Sequence, residues 1–347
     1  MTKILSVSTV AWDATAWYRS SGIIPDLSKR MGIDFHAFQG RQFTWAQLMS
    51  YEIIFFQRPM TEDHLKLAEY VKDLGIKVWV DYDDNLFALP YEARAFLEYN
   101  NKVKQTMAKL LMIADHVTVS TGELKRFFSE ELKITSPITV VPNALDLDVL
   151  PCRPVDSFNA DSKVMVWRGS ETHWFDVECF STSLYEAMKD STDVWHFMGW
   201  VPASLMYTDV QDKIRPHKGE DILIYNGNLK KIKPRVMHVP LVDNQLNRAK
   251  SNIAWIEATC AGAVTIAPNW PEWQKPGVIC YDTPEDYTKL LKGGGLDYAK
   301  CWRDSMDYIN KNLLLSKVNE KRVEIINGLL GQVTHKYTVT DPYLQVE

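Results

Sequence analysis

The stretch SNIAWIEATCAGAVTIAP, residues 251–268, predicts a helix followed directly by a buried strand. Ser251 or Asn252 can cap the start of this helix, and Gly262 ends it after Cys260. The segment AVTIAP that follows is short, apolar and partly β-branched, which is typical of a strand buried on both faces. A helix joined to such a strand by a short turn indicates alternating α/β structure.

Strand-length apolar runs recur on both sides of this stretch and fall into two series. The first series is KILSVSTV (3–10), IDFHAF (33–38), EIIFFQ (52–57), KVWVDY (77–82), HVTVS (116–120) and ITVVPN (138–143). The second is KVMVW (163–167), DVWHFMG (193–199), DILIYN (221–226), VMHVPL (236–241), AVTIAP (263–268) and VICYD (278–282). Amphipathic stretches separate the runs, among them 61–74, 92–113 and 174–190, and a helical tail covers about 297–330. The pattern predicts an α/β protein with two doubly wound Rossmann-like domains facing a cleft.

The length and composition fit this arrangement. A chain of 347 residues exceeds the size at which single cores usually stop growing. We predict an N-terminal domain at 1–150, a C-terminal domain at 151–310, and a tail at 311–347 that packs back on the first domain. The apolar run at the N-terminus is too short for a signal peptide or a membrane span, so we expect a cytoplasmic protein without a membrane segment.

Charge and cysteine content narrow the possible partners and sites. The net charge of −5 means that a nucleic-acid partner would need a local basic face, for which NLKKIKPR (228–235) is the strongest candidate. Solvated loop charge is the commoner explanation of such a run. Five scattered cysteines without a C-x-x-C pair argue against a disulfide framework and a structural zinc site.

Polar residues stand where the predicted strands end, which is where open α/β sheets bind ligands. After KVMVW come Arg168, Gly169 and Ser170, whose charge and backbone N–H groups suit an anion. His173 and Asp176 follow at a spacing of three residues, on one face of the early helix. The alternative is that Ser170 simply caps the helix and that the His173–Asp176 pair lies on the surface.

Lys250 stands at the positive end of the predicted 251–261 helix, where a lysine opposes the helix dipole. A bound anion would explain its position. Glu257 lies seven residues further along, on the same face, and its carboxylate suits a ribose diol. The apolar neighbours of Glu257 favour this interpretation over a solvated helix residue.

Asp81 and Asp83 form a D-x-D in VDYDDNLFALP (80–90), which suggests a Mg²⁺ or Mn²⁺ site or a base with a raised pKa. An acidic turn at the end of a strand, capped by Asn85, is the competing interpretation. We place metal binding below both this turn and a substrate-binding role.

Several of these motifs together resemble the GT-B glycosyltransferases, in particular the retaining family-four-like group with its short bacterial and phage members. The resemblance covers most of the chain. It rests on YRSSGIIPDL (18–27), FFQRP (55–59), VDYDDNLFALP, ADHVTVST (114–121), VVPNALD (140–146), GSETHWFD (169–176) and LNRAKSNIAWIEATCAGAVTIAP (246–268). The last two are the most specific.

The resemblance implies that the C-terminal domain binds a nucleotide-sugar donor, with UDP favoured, and that the N-terminal domain binds the acceptor without a required metal or other cofactor. Glu257 matches the second glutamate of the E-x7-E pair of this group, which binds ribose, whereas the first glutamate is replaced by Ala249. The predicted catalytic residues are Asp83, Asp84, Arg168 and Lys250. The predicted donor-binding residues are Gly169, Ser170, His173, Asn247, Ser251, Asn252 and Glu257. The predicted acceptor-side residues are Trp12, Arg19, Arg58 and Asp81.

The predicted reaction is transfer of a hexose or pentose to an acceptor hydroxyl, with retention. The acceptor is a hydroxymethylated base in phage DNA or a surface polysaccharide. A metal-dependent transferase, a sugar phosphorylase and a nucleotide-sugar epimerase are competing enzymes. A catalytically inactive GT-B-like protein that binds sugar, or nucleic acid through Lys230, Lys231, Lys233 and Arg235, is the alternative from another class. Neither a P-loop nor a G-x-G-x-x-G after the first strand is present.

Overall fold

The computed structural model describes residues 3–8, 13–31, 34–39, 45–293 and 295–331. Contacts divide the chain into two compact units. The first unit contains the described residues up to Asp84, Glu98–Pro142 and those from Leu315 onward. The second contains Asn85–Leu97 and Asn143–Leu314. Residues 85–97 therefore belong to the second unit, although the sequence pattern assigns them to the first; the roles of the two domains stay predictions.

The first unit is built on a parallel sheet in which six strands are described: β1 Lys3–Ser8, β2 Asp34–Gln39, β3 Ile53–Gln57, β4 Lys77–Tyr82, β5 His116–Val119 and β6 Ile138–Val140. Its early helices are α1 Ala14–Ala16, α2 Ile24–Met31, α3 Trp45–Leu48, α4 Glu62–Asp73, α5 Asn101–Ile113 and α6 Gly122–Arg126, with π-helical turns at Trp17–Ser21 and Phe127–Glu131. The strand order is β2-β1-β3-β4-β5-β6. The direction of winding reverses between β1 and β3, so their carboxyl ends mark the switch point where such sheets bind ligands.

The second unit is also built on a parallel sheet of six described strands. Its described strands, all parallel, are β7 Val164–Gly169, β8 Val194–Gly199, β9 Ile214–His217, β10 Val236–His238, β11 Val264–Pro268 and β12 Val278–Tyr281. The helices are α7 Trp174–Cys179, α8 Ser181–Lys189, α9 Ile222–Ile232, α10 Gln245–Arg248, α11 Ile253–Cys260, α12 Pro284–Leu291 and α13 Tyr298–Asn312. The strand order is β12-β11-β10-β7-β8-β9, which places the switch point between β7 and β10.

The last described helix, α14 Leu315–Leu330, belongs to the first unit. It packs against α2, and the side-chain amide of Asn319 donates to Asp26 at 2.6 Å. None of the described helices combines the length and the apolar character needed to cross a membrane.

The doubly wound α/β fold predicted from the sequence is confirmed, with one strand misplaced. DILIYN forms the start of helix α9 and not a strand. Asp221 caps this helix, and its inward face is formed by Ile222, Asn226 and Leu229. The strand at this place in the chain is IRPH, residues 214–217, at the edge of the sheet. An edge strand tolerates proline, which hid this strand from the apolar pattern.

Three predicted helical stretches are interrupted. The stretch 92–113 forms a short 3-10 turn at Arg94–Leu97 and then the helix α5. The stretch 174–190 forms two helices, α7 and α8, which are separated at Phe180. The predicted tail forms α13 and α14, which are separated at 313–314. These breaks leave the order of the strands unchanged, so the switch points stay where the sheet topology puts them.

The core of the second unit contains a histidine that is held neutral. His238 on β10 is buried, and its Nδ1 lies 2.6 Å from the hydroxyl of Tyr287, which is also buried. The rings of Trp195 and Phe197 pack against it. Burial lowers the pKa of His238 to about 3. Protonation of this side chain is therefore strongly disfavoured in the folded state.

We expect His238 to make the protein less stable in mild acid. In the unfolded chain this histidine binds a proton below its ordinary pKa of about 6.5, whereas in the folded chain it binds one only near pH 3. Between these two pH values the unfolded state binds more protons than the folded state. The free energy of unfolding therefore decreases as the pH falls below about 6.5. At about pH 5 the loss is about 2 kcal/mol. Urea unfolding at about pH 7 and pH 5 measures it. In the double variant His238→Phe, Tyr287→Phe, the difference in the free energy of unfolding between the two pH values should be smaller by this amount. An unchanged difference would contradict a neutral, buried His238 as its cause.

Candidate functional site

The carboxyl end of β7 is shaped by two glycines that face each other across neighbouring strands. Gly169 ends β7 and pairs in register with Gly199, which ends β8. Gly199 has a φ of +114°, and a Cβ built there would lie 2.1 Å from the carbonyl oxygen of Gly169. A side chain at 199 would therefore force the two strands apart. Ser170, which follows Gly169, is exposed and bonds to the Thr172 hydroxyl at 2.6 Å.

A buried carboxylate ties the segment after β7 to the segment after β10. Asp176 on α7 accepts hydrogen bonds at Oδ1 from the backbone N–H of Val242 at 3.0 Å and from Nδ2 of Asn247 at 2.6 Å. Its Oδ2 lies 3.1 Å from Nδ1 of His173. The His173–Asp176 pair is therefore not an isolated surface pair, because Asp176 is buried and fixes the loop that leads to Lys250.

Polar side chains at the amino end of α11 are also held by neighbouring residues. Ser251 accepts a hydrogen bond from Nδ2 of Asn143 at 2.9 Å. Asn252 is the N-cap residue, but its side chain donates to the carbonyl of Glu272 at 3.1 Å and makes no bond to the first turn. Lys250 is half-buried directly before them. This end of the helix thus combines a lysine with first-turn N–H groups that the N-cap side chain does not satisfy.

Glu257 lies in the second half of α11, and its side chain is buried. Its Oε2 is 3.0 Å from Nε of Arg168 at the end of β7 and accepts a hydrogen bond from the hydroxyl of Tyr225 at 3.2 Å. Burial and the neighbouring Glu257 carboxylate raise the pKa of Tyr225 well above its ordinary value, whereas Arg168 lowers it. The structure therefore brings Arg168 and Glu257 together and adds Tyr225, which the sequence reasoning missed because it placed DILIYN in a strand.

In the first unit, Arg58 joins the ends of β3 and β4. Its backbone has a φ of +51°, which is uncommon for a residue with a side chain. Its Nη2 contacts Asp83 Oδ1 at 2.7 Å and Asp84 Oδ2 at 3.0 Å. Burial raises the pKa of Asp83, Arg58 lowers it and Asp84 raises it, so that the pKa lies above its ordinary value. One guanidinium is thus shared by two carboxylates at this edge of the sheet.

The two carboxylates of the D-x-D bind different guanidinium groups. Asp81 is buried and pairs with Arg19 through two bonds, Nε to Oδ1 at 2.9 Å and Nη2 to Oδ2 at 2.6 Å. Thr118 also donates to Asp81, and Arg19 donates to the carbonyl of Val141. Neither Arg19 nor Asp81 is exposed to a ligand, so both hold the fold in this structure. Trp12 lies outside the described residues.

Within the described part of the chain, no cluster of three or more His, Cys, Asp or Glu side chains is arranged to hold a metal ion. Asp81 and Asp83 pair with different arginines, Arg19 and Arg58. The metal interpretation of the D-x-D therefore has no geometric support among these residues.

The basic segment NLKKIKPR is largely occupied by contacts within the second unit. Lys230 donates to the backbone carbonyls of Leu150 and Arg153, and Arg235 pairs with Asp193 at 3.0 Å. Lys233 adopts the left-handed conformation that ends α9. Lys231 and Lys233 are exposed, whereas Lys230 and Arg235 are half-buried, so only part of the charge of this segment faces solvent.

Comparison with solved structures identifies the architecture. No protein-family model matches the chain, and no curated protein matches its sequence. Sucrose-phosphate synthase from Thermosynechococcus elongatus is similar over 95% of this chain and 100% of its own, with 10% identity and a TM-score of 0.72. An alpha-glucosyltransferase solved with UDP-glucose and DNA containing an abasic site is similar over 94% of this chain and 99% of its own, with 12% identity and a TM-score of 0.62.

The chain has the GT-B fold. The Anabaena protein HepE, solved in complex with UDP, is a third example, similar over 94% of this chain and 100% of its own, with 9% identity and a TM-score of 0.66. These neighbours are GT-B glycosyltransferases. At such low identity the likeness concerns the fold, and the chemistry has to be argued from the site.

Proposed function

We propose that the protein is a glycosyltransferase that takes a hexose or pentose from a nucleoside-diphosphate sugar, with UDP as the favoured nucleotide, and transfers it to an acceptor hydroxyl. One observation carries the proposal: Glu257, on the helix whose amino end Lys250 precedes, contacts Arg168 at the end of β7, beside the switch point of the second unit. Solved neighbours with UDP or UDP-glucose bound support the choice of donor.

The site supplies the groups that a nucleotide sugar needs. The Glu257 carboxylate accepts hydrogen bonds from the ribose hydroxyls, and Lys250 together with the first-turn N–H groups near Ser251 and Asn252 binds the diphosphate. A guanidinium carries five N–H donors, so Arg168 can contact Glu257 through Nε and the diphosphate through its other nitrogens. Asp176 and Asn247 hold the connecting loop, and Gly169, Ser170 and His173 border the site.

In the proposed reaction the bond between the sugar C1 and the diphosphate oxygen breaks as C1 bonds to the acceptor oxygen. Lys250, Arg168 and the helix N–H groups stabilise the charge on the departing diphosphate. With retention, the departing phosphate takes the acceptor proton, and Asp84 orients the acceptor. With inversion, Asp83 or Asp84 is the base, for which a raised pKa at Asp83 is suitable. No resident metal or other cofactor is part of this proposal.

The acceptor side of the proposal centres on Arg58, Asp83 and Asp84 in the first unit. Their three side chains are only partly buried, and the two carboxylates exceed the single guanidinium by one charge. Such a cluster can accept hydrogen bonds from a hydroxyl. A hydroxymethylated base in phage DNA and a surface polysaccharide both carry such a hydroxyl, and either would be modified in the cytoplasm under this proposal.

Release of nucleotide from a panel of UDP-, GDP- and ADP-sugars tests the function. We expect one donor to be turned over, and Lys250→Ala to lower its turnover by about 10- to 100-fold, because one charge-assisted bond to the diphosphate contributes about 1.5 to 3 kcal/mol. Lys231→Ala is the matched control, since Lys231 lies on the exposed face of α9. Binding of donor without any turnover would favour the inactive binding protein, and absence of binding would contradict both.

A further inference from the structure

Residues 85–97, here called the strap, lie against the loops that border the proposed donor site in the second unit. Nδ2 of Asn85 lies 3.5 Å from the carbonyl of Gln245, and Nε1 of Trp174 donates to the carbonyl of Glu92 at 3.2 Å. Residues 86–88 of the strap pack on α10, and residues 94–97 pack on the turn at 171–173. The strap is therefore fixed beside His173 and Asn247.

The strap carries large apolar side chains that are not buried. Tyr91 is 79% exposed, Leu97 is 82% exposed and Phe96 is 37% exposed, although they lie within seven residues of one another. Single exposed apolar residues are common, but a group of this size fixed beside a candidate site is typical of a binding surface.

The charges of the strap select among the possible ligands. Its only side chains that are charged at neutral pH are those of Glu92 and Arg94, so the strap has no net charge. A hydrogen bond between Tyr91 and Glu92 raises the pKa of Tyr91, which places a carboxylate beside the exposed ring. A nucleic-acid surface needs an excess of positive charge, which the strap does not provide.

A neutral carbohydrate matches both the exposed apolar side chains of the strap and its lack of net charge. One face of a pyranose ring consists of C–H groups that pack on an aromatic ring, and its hydroxyls donate hydrogen bonds to a carboxylate. We infer that the strap, which directly follows Asp83 and Asp84 in the chain, also binds the acceptor and that the acceptor is a neutral carbohydrate, with one sugar ring packed on Tyr91 and the next sugar ring on Phe96 and Leu97. This inference rests on the proposed transferase function, because it places the acceptor beside the donor site.

The test measures UDP release from the donor that the panel identifies, with methyl glycosides of glucose, galactose, mannose and N-acetylglucosamine as acceptors, and with single-stranded and duplex DNA in parallel. We expect at least one glycoside to accelerate release, and DNA to have no effect. Tyr91→Ala should raise the KM for the glycoside by about 2- to 10-fold, because loss of one stacked ring costs about 0.5 to 1.5 kcal/mol. The KM for the donor should not change.

Tyr207→Ala is the matched control, because Tyr207 is a tyrosine of the same unit that is 92% exposed but lies outside the strap. Acceleration by DNA and not by glycosides would overturn the inference, as would a glycoside KM that Tyr91→Ala leaves unchanged or that Tyr207→Ala raises equally. Acceleration by none of these acceptors, with donor binding intact, would also overturn it. Failure of the proposed function is a different result, in which no nucleotide sugar binds or turns over.

Discussion

Replacement of Asp81 by asparagine is expected to lower the free energy of unfolding of the first unit by about 3 to 5 kcal/mol. Asp81 accepts two bonds from Arg19 and one from Thr118, and all three side chains are buried. An asparagine amide at position 81 leaves the Arg19 charge buried without a carboxylate. It also turns an N–H group toward Arg19 or Thr118, which are themselves donors. Although burial lowers the pKa of Arg19, the neighbouring Asp81 raises it above its ordinary value, so Arg19 stays charged.

Hydrogen exchange of the β3 and β4 amides, together with the midpoint of urea unfolding, measures this loss for the first unit. Asp73→Asn is the matched control, because Asp73 is exposed at the end of α4, and we expect it to change stability by less than about 0.5 kcal/mol. The double variant Arg19→Met, Asp81→Leu should be more stable than Asp81→Asn, since it removes both charges together. Equal stability of Asp81→Asn and Asp73→Asn would contradict a structural role for the pair.

Glu257→Gln is expected to weaken nucleotide binding by about 100-fold or more. The carboxylate is proposed to bond two ribose hydroxyls, and each charge-assisted bond contributes about 1.5 to 3 kcal/mol. A saturating donor at about 100 times its Kd stabilises the folded protein by about 2.7 kcal/mol, so the variant should lose most of the rise in Tm that the donor causes in the unchanged protein.

The fold should tolerate this change, because the glutamine side chain still offers an oxygen to Arg168 and Tyr225. Glu186→Gln, on the exposed face of α8, is the matched control and should keep the full rise in Tm. A Glu257→Gln protein that folds and binds the donor as tightly as the control would show that the ribose binds elsewhere.

Most strands of this protein can be recognised from the apolar pattern of the sequence. Strands such as IIFFQ and VTIAP are largely apolar runs, because parallel strands covered on both faces need such side chains. DILIYN failed as a strand because a run of four apolar residues has no period of its own, and Asp221 at its start caps a helix. The edge strand IRPH, with arginine, proline and histidine, offered no apolar signal.

The candidate site was predictable in part. The apolar surroundings of Glu257 pointed to a buried carboxylate, and its side chain is buried. Its partners were not predictable, because the contact with Arg168 depends on how α11 packs beside β7, and the contact with Tyr225 depends on α9 being a helix. The Arg19–Asp81 pair joins residues 62 positions apart, so that nothing in the local pattern marked either side chain as buried.

The most direct test of the donor site is a crystal structure of the protein with UDP bound. We expect both ribose hydroxyls to lie within hydrogen-bond distance of the Glu257 carboxylate, and the diphosphate to contact Lys250 and the backbone N–H groups at the start of α11. A UDP molecule bound away from α11, or bound with Glu257 still contacting only Arg168 and Tyr225, would contradict it.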